Sequence, residues 1–131
     1  YDDIAKRISE ANIEEQVILC GRQANPYPYI KYADMMIHTS HIESQGLVIQ
    51  EAMALGTPCV VTRSVGPPEF IIDGKNGVMV VPTVDSLIEG IYRLAEDTAL
   101  QAKFIANGRA TLTQGFTPQV VIEKIEKLIA E

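Results

Sequence analysis

The 131-residue chain contains no run of basic side chains: 11 Lys and Arg face 17 Asp and Glu, for a net charge of −6. A nucleic-acid partner therefore has no electrostatic footing. Cysteine is scarce. Cys20 and Cys59 are the only two, and each lies in an apolar, strand-like run. That excludes a disulfide framework and reads as a pair of reduced core thiols. No Cys/His spacing suits a metal site, so neither a metal nor any other cofactor is expected. There is no membrane-length apolar stretch, no signal peptide, no internal repeat and no low-complexity tract. These absences lead to the expectation of a cytoplasmic protein, with loose membrane attachment allowed in a full-length form. Residues 1–131 amount to one domain or part of one, and 47% hydrophobic residues are enough for a real core.

What is present is an alternation of helix and strand signals. Ile4, Ile8 and Ala11 mark one face of a first helix, with Asp2 or Asp3 near its start. Val17–Cys20 reads as a short strand. Asn25-Pro-Tyr-Pro-Tyr29 reads as a turn and short helix into Tyr32. Further strands are expected at Met35–His38, Pro58–Thr62 and Val78–Val81. Pro67 and Pro68 open a short helix through Ile72, ended by Gly74. Val84, Leu87, Ile88 and Ile91 line an amphipathic helix. Another runs from Leu100 to Ala106 and frays at Asn107-Gly108, and Thr117 caps a last one. The strands are continuous apolar runs, which indicates a parallel sheet covered on both faces, an α/β Rossmann-like fold. Ligands of such sheets sit at the carboxyl ends of the strands. Gly21, Ser40 and Arg63 fall at those ends.

The most informative stretch is His41 to Val61, HIESQGLVIQEAMALGTPCVV. Ser44 is a plausible N-cap, and Gly46 lets a ligand approach the backbone. Leu47, Val48, Ala52 and Leu55 recur at helical spacing; Gly56 fits the position after the helix and Pro58 forbids continuation. The amides around Gly46, Leu47 and Val48 have no partner inside the helix and carry the positive end of its dipole, so a diphosphate suits them. Glu43 precedes the helix and Glu51 lies on it, leaning back toward its start. Carboxylates repel phosphate; they are better employed accepting from sugar or ribose hydroxyls. Two glutamates alone would equally be ordinary solvated acids.

The surrounding pattern resembles the donor-binding domain of group-one glycosyltransferases of the two-domain GT-B architecture. The resemblance runs from Val17 to Leu128. Its motifs are Val17-Ile-Leu-Cys-Gly21, Ala33-Asp34 through Ser40, the E-x7-E pair Glu43 and Glu51, Glu51-Ala-Met-Ala-Leu-Gly-Thr-Pro-Cys-Val-Val61, Gly66-Pro-Pro-Glu69 and Asp73-Gly-Lys-Asn-Gly77, in order and spacing. The resemblance implies that Glu51 holds ribose hydroxyls. It implies that Glu43 faces the transferred sugar as the candidate catalytic residue. Gly46, Leu47 and Val48 would meet the sugar and diphosphate, and Gly21 and Arg22 would line the base pocket. Gln45 departs from the pattern, which usually has an aromatic residue there.

The implied reaction is retaining glycosyl transfer, without a required metal, from a nucleotide-sugar donor to a sugar or lipid-linked acceptor in cell-surface polysaccharide or glycolipid synthesis. The lean is to UDP-sugars. Two alternatives stay open: another GT-B enzyme (a sugar-nucleotide epimerase or a phosphorylase), or a non-catalytic nucleotide-sugar-binding module. By comparison with the family the domain is incomplete, lacking its first strands, a basic pair and the acceptor domain. A fragment of that kind is expected to be inactive alone. It should either close its sheet in a non-native register or self-associate through exposed edges.

Other residues have two readings each. His38 and His41 could bond a phosphate or sugar hydroxyl, or be ordinary loop histidines. Arg63 could face the diphosphate or solvent. Glu69 could brace the ligand loop or only complement a helix dipole. Tyr27, Tyr29 and Tyr32 could stack a base or pack a turn. Asp73 to Gly77 is turn chemistry, with Gly and Asn supplying positive φ.

Overall fold

A computed structural model describes residues 1–42, 46–63, 71–115, 117–120, 122 and 126. Helix α1 spans Asp2–Glu10 and α2 Tyr27–Lys31. Strand β1, Met36–His38, is followed by helix α3, Leu47–Leu55, and strand β2, Cys59–Thr62. Strand β3, Val78–Val80, precedes helices α4, Val84–Ala95, and α5, Thr98–Gly115. The three strands form one parallel sheet in the order β1-β2-β3.

Strand β2 explains why the sheet reads as apolar runs. All four of its residues are buried, so alternation has no solvent face to mark. Cys59 and Val61 pack with Ile49, Ala52 and Met53 of α3 and with Ile71. Val60 packs the opposite way, with Val78, with Leu94 of α4 and with Phe104 of α5. The sheet is thus covered on both faces, as expected of a Rossmann-like α/β fold. Gly90 lets α4 close on it: a Cβ there would lie 2.8 Å from Val80 Cγ1 and 3.2 Å from both Val60 Cγ1 and Val78 Cγ1.

Several expectations need correction. Val17–Cys20 is not a strand: Ile18 is 82% exposed and the segment joins no sheet. An apolar run becomes a strand only when a neighbouring ladder takes its backbone groups. The described sheet does not recruit this segment in any register. Cys20 is accordingly exposed rather than a core thiol, whereas Cys59 is buried. Helix α5 does not fray at Asn107-Gly108. A mid-helix glycine costs about 1 kcal/mol, but Gly108 is buried where a Cβ would touch Met53 of α3 at 3.4–3.5 Å. Close helix packing offsets the propensity cost.

The 73–77 turn also differs from its reading. Gly74 has φ +69°, but neither Asn76 nor Gly77 has positive φ. Gly77 is needed for space, since a Cβ there would sit 3.3 Å from the Cys59 carbonyl oxygen. Asn76 is 1% exposed and works through its side chain. Its Oδ1 accepts from the Ile72 amide at 2.7 Å. The Asn107 and Lys103 side chains of α5 donate to the carbonyls of Lys75 and Gly74. The helix expected over Pro67–Ile72 lies mostly outside the described residues, and Ile71 and Ile72 are not helical. Thr117 does act as a cap, accepting from the Val120 amide at 3.3 Å.

Candidate functional site

The carboxyl ends of the strands bring together the loop after β1, the end of β2 and the start of α4. Thr62 Oγ1, at the end of β2, donates to the Ser40 carbonyl at 2.9 Å and ties the loop down. His41, Thr39, Thr62 and Thr83 are among the residues lining a cleft of about 220 Å³ here. Thr83 also caps α4, accepting from the Ser86 amide. Arg63 is exposed, and its amide extends the ladder by bonding to the Val80 carbonyl at 2.7 Å.

Helix α3 starts on the same side. Its N-cap is Gly46 (φ +57°), not Ser44, and Gly56 ends it with φ +85°. Both are left-handed conformations that glycine adopts without a Cβ penalty. The Gly46 carbonyl accepts from Ile49 at 3.0 Å and from Gln50 at 3.1 Å. The amides of Leu47 and Val48 come before these, where a helix supplies no internal acceptor. Leu47 is 61% exposed, while Val48 packs against the core. The helix start is therefore anchored below, with Gly46 buried and Leu47 on the exposed side. Its aligned peptide dipoles favour an anion there.

Glu51 lies one turn into α3 and is half-buried. Its Oε1 is 3.4 Å from the Tyr27 hydroxyl of α2. Glu43, Ser44, Gln45 and the Gly66–Glu69 motif lie outside the described residues. Gly21, with φ +57°, and Arg22 lie in exposed coil beyond Val17–Cys20. Among the described residues neither makes a hydrogen bond or ion pair to α3. The structure thus brings the helix start and Glu51 together, and leaves Gly21 and Arg22 outside that contact. Sequence reasoning missed the link from Tyr27 to Glu51, because 24 residues separate the two. The one available signal was the Asn25-Pro26 start of α2.

A family model described as glycosyl transferases group 1 matches residues 1–111. The chain is 30% identical over 130 residues to LpsE of Rhizobium meliloti (strain 1021), a lipopolysaccharide core biosynthesis glycosyltransferase; the match covers 98% of this chain and 38% of that protein. It is 30% identical over 125 residues to a poly(ribitol-phosphate) alpha-N-acetylglucosaminyltransferase of Staphylococcus aureus (strain COL), over 94% of this chain and 25% of the relative. Anabaena HepE, solved in complex with UDP, superposes with a TM-score of 0.87 at 27% identity, over 98% of this chain and 36% of HepE. The chain therefore spans well under half the length of each. No described helix is long and apolar enough to cross a membrane.

Proposed function

The chain belongs to the group 1 glycosyltransferases, and on that premise we propose that its protein transfers a glycosyl group from a nucleotide-sugar to an acceptor hydroxyl, this chain supplying donor binding. One observation carries the reading. A helix start, with a carboxylate one turn behind it, lies at the carboxyl ends of a parallel sheet. Such a place receives a diphosphate and grips hydroxyls beside it. The UDP in the HepE complex supports a UDP-sugar as donor. The names of LpsE and the Staphylococcus aureus enzyme support a sugar or lipid-linked acceptor in cell-surface polysaccharide or glycolipid synthesis.

In this proposal Glu51 accepts from the ribose hydroxyls and Glu43 faces the sugar being transferred. The backbone at Gly46, Leu47 and Val48 meets the diphosphate and sugar, while Gly21 and Arg22 serve the base. When the bond from sugar to diphosphate breaks, the leaving group gains negative charge. Fixed amide dipoles stabilise that charge without having to reorient. No metal ion is assigned to the step. Two cysteines free of a disulfide fit a reducing compartment such as the cytoplasm. The test is product analysis with the full-length gene product and a panel of labelled nucleotide-sugars. Glycosylated acceptor plus free nucleoside diphosphate is the expected outcome. An epimerised donor, a sugar phosphate, or binding without turnover would replace the proposal with one of its alternatives.

The proposal extends to a second copy of the isolated chain as a partner. Ile18 is 82% and Ile37, on edge strand β1, 43% exposed; exposed apolar edges invite pairing. Size-exclusion chromatography with light scattering should show a mass that rises with concentration and reverts to monomer in Ile37→Lys, on the sheet edge. A monomer at every concentration removes this part of the proposal.

A further inference from the structure

We infer that Tyr27 is a positioning residue, whose hydroxyl holds the Glu51 carboxylate ready for a ligand's vicinal hydroxyls. The inference rests on the reading of Glu51 as the ribose-holding group. The Tyr27 hydroxyl lies 3.4 Å from Glu51 Oε1. An ionised carboxylate only accepts, so the phenol is the donor. The distance exceeds the roughly 2.5–3.0 Å of an ordinary hydroxyl hydrogen bond, which makes the contact a loose tether and not a lock. It orients one oxygen, and among the described residues no hydrogen bond occupies Oε2.

The tether is built on a fixed base. Helix α2 has five residues, too few to persist alone. It is held from below by Thr57, which follows α3. Thr57 is 3% exposed, and its Oγ1 donates to the Ile30 carbonyl at 2.7 Å. Ile30 packs against the core formed with α3. The start of α2 is fixed as well. The Tyr27 amide bonds to Asn25 Oδ1 at 3.2 Å, and Pro26 and Pro28 restrict the backbone on either side. Tyr27 therefore sits on a short helix secured to the same body as Glu51. Tyr27 is 48% exposed, so core packing is not its main use. Holding a side chain in its binding orientation before the ligand arrives reduces the ordering cost of binding.

Calorimetric titration of the full-length gene product with UDP and with its 2′,3′-dideoxy analogue tests this. Wild type should prefer UDP. Tyr27→Phe should narrow that preference about threefold to tenfold, with analogue affinity and melting temperature unchanged. Tyr29→Phe, on the same helix, should match wild type. In a Glu51→Ala background, Tyr27→Phe should have no further effect. If Glu51→Ala abolishes the preference while Tyr27→Phe keeps it in full, the inference fails and the reading of Glu51 stands. Equal weakening of both ligands by Tyr27→Phe also overturns it, as a general structural role. If UDP does not bind, if wild type shows no preference, or if Glu51→Ala retains it, the reading of Glu51 itself fails.

Discussion

The Asn76 side-chain nitrogen donates to Thr111 Oγ1 across 3.0 Å, joining the turn before β3 to helix α5. Thr111 passes the bond on to the Asn107 carbonyl at 2.8 Å. Because Asn76 also caps the Ile72 amide, Asn76→Ala strands polar groups on both sides of a buried site. The expected loss is about 2–3 kcal/mol of folding stability. Urea titration should show a lower midpoint at unchanged slope, and Thr111→Val should cost less than Asn76→Ala.

Gly90 sets the spacing between α4 and the sheet. Alanine is the better helix former, so propensity alone predicts that Gly90→Ala stabilises. The Cβ would meet Val80, whose branched side chain is stiff. Overpacking wins, with an expected cost of about 1–3 kcal/mol. Val80→Ala in the same molecule should recover part of it, measured as a non-additive double-mutant cycle.

Burial pushes the Cys59 thiol from 9.0 up to about 12. The folded state keeps this proton at a pH where the unfolded chain has lost it. The stabilisation from this group is therefore present below pH 9 and is lost as pH rises from 9 toward 12. The slope approaches about 1.4 kcal/mol per pH unit. Stability against pH for wild type minus Cys59→Ala isolates the effect; parallel curves would contradict it. Iodoacetamide at pH 8 should label exposed Cys20 and spare Cys59 until the protein is unfolded.

The two glutamates of the motif should separate in function. Glu51→Ala in the full-length gene product is expected to weaken UDP about tenfold to hundredfold, the value of hydrogen bonds to a charged acceptor. Glu43→Ala should leave UDP affinity within about twofold and slow sugar transfer instead. Equal loss of UDP affinity in both variants would refute this division.

The three observed strands and helices α3 and α4 were legible because their signals are local: apolar runs, helical spacing, and Gly-Thr-Pro punctuation. Val17–Cys20 carries the same local signal as β2. Only the presence of a neighbouring strand separates the two outcomes, and no run of four residues encodes that. The continuation of α5 through Gly108 hid for a similar reason, since its compensation lies on Met53 of another helix. Asn76 looked like a turn former and proved to be a buried amide serving two elements. At the site, the helix start and Glu51 followed from the motif. The Tyr27 contact did not, because it arises from how α2 and α3 are docked.

Helix α3 is bracketed by two left-handed glycines, Gly46 and Gly56, and rests on core contacts along its underside. Its pointing direction is thereby written into main-chain bends at both ends. Positions facing outward there, Leu47 first among them, are released from scaffolding work. Under the proposed function, exchanging them should retune which carbohydrate is admitted while the helix keeps its direction.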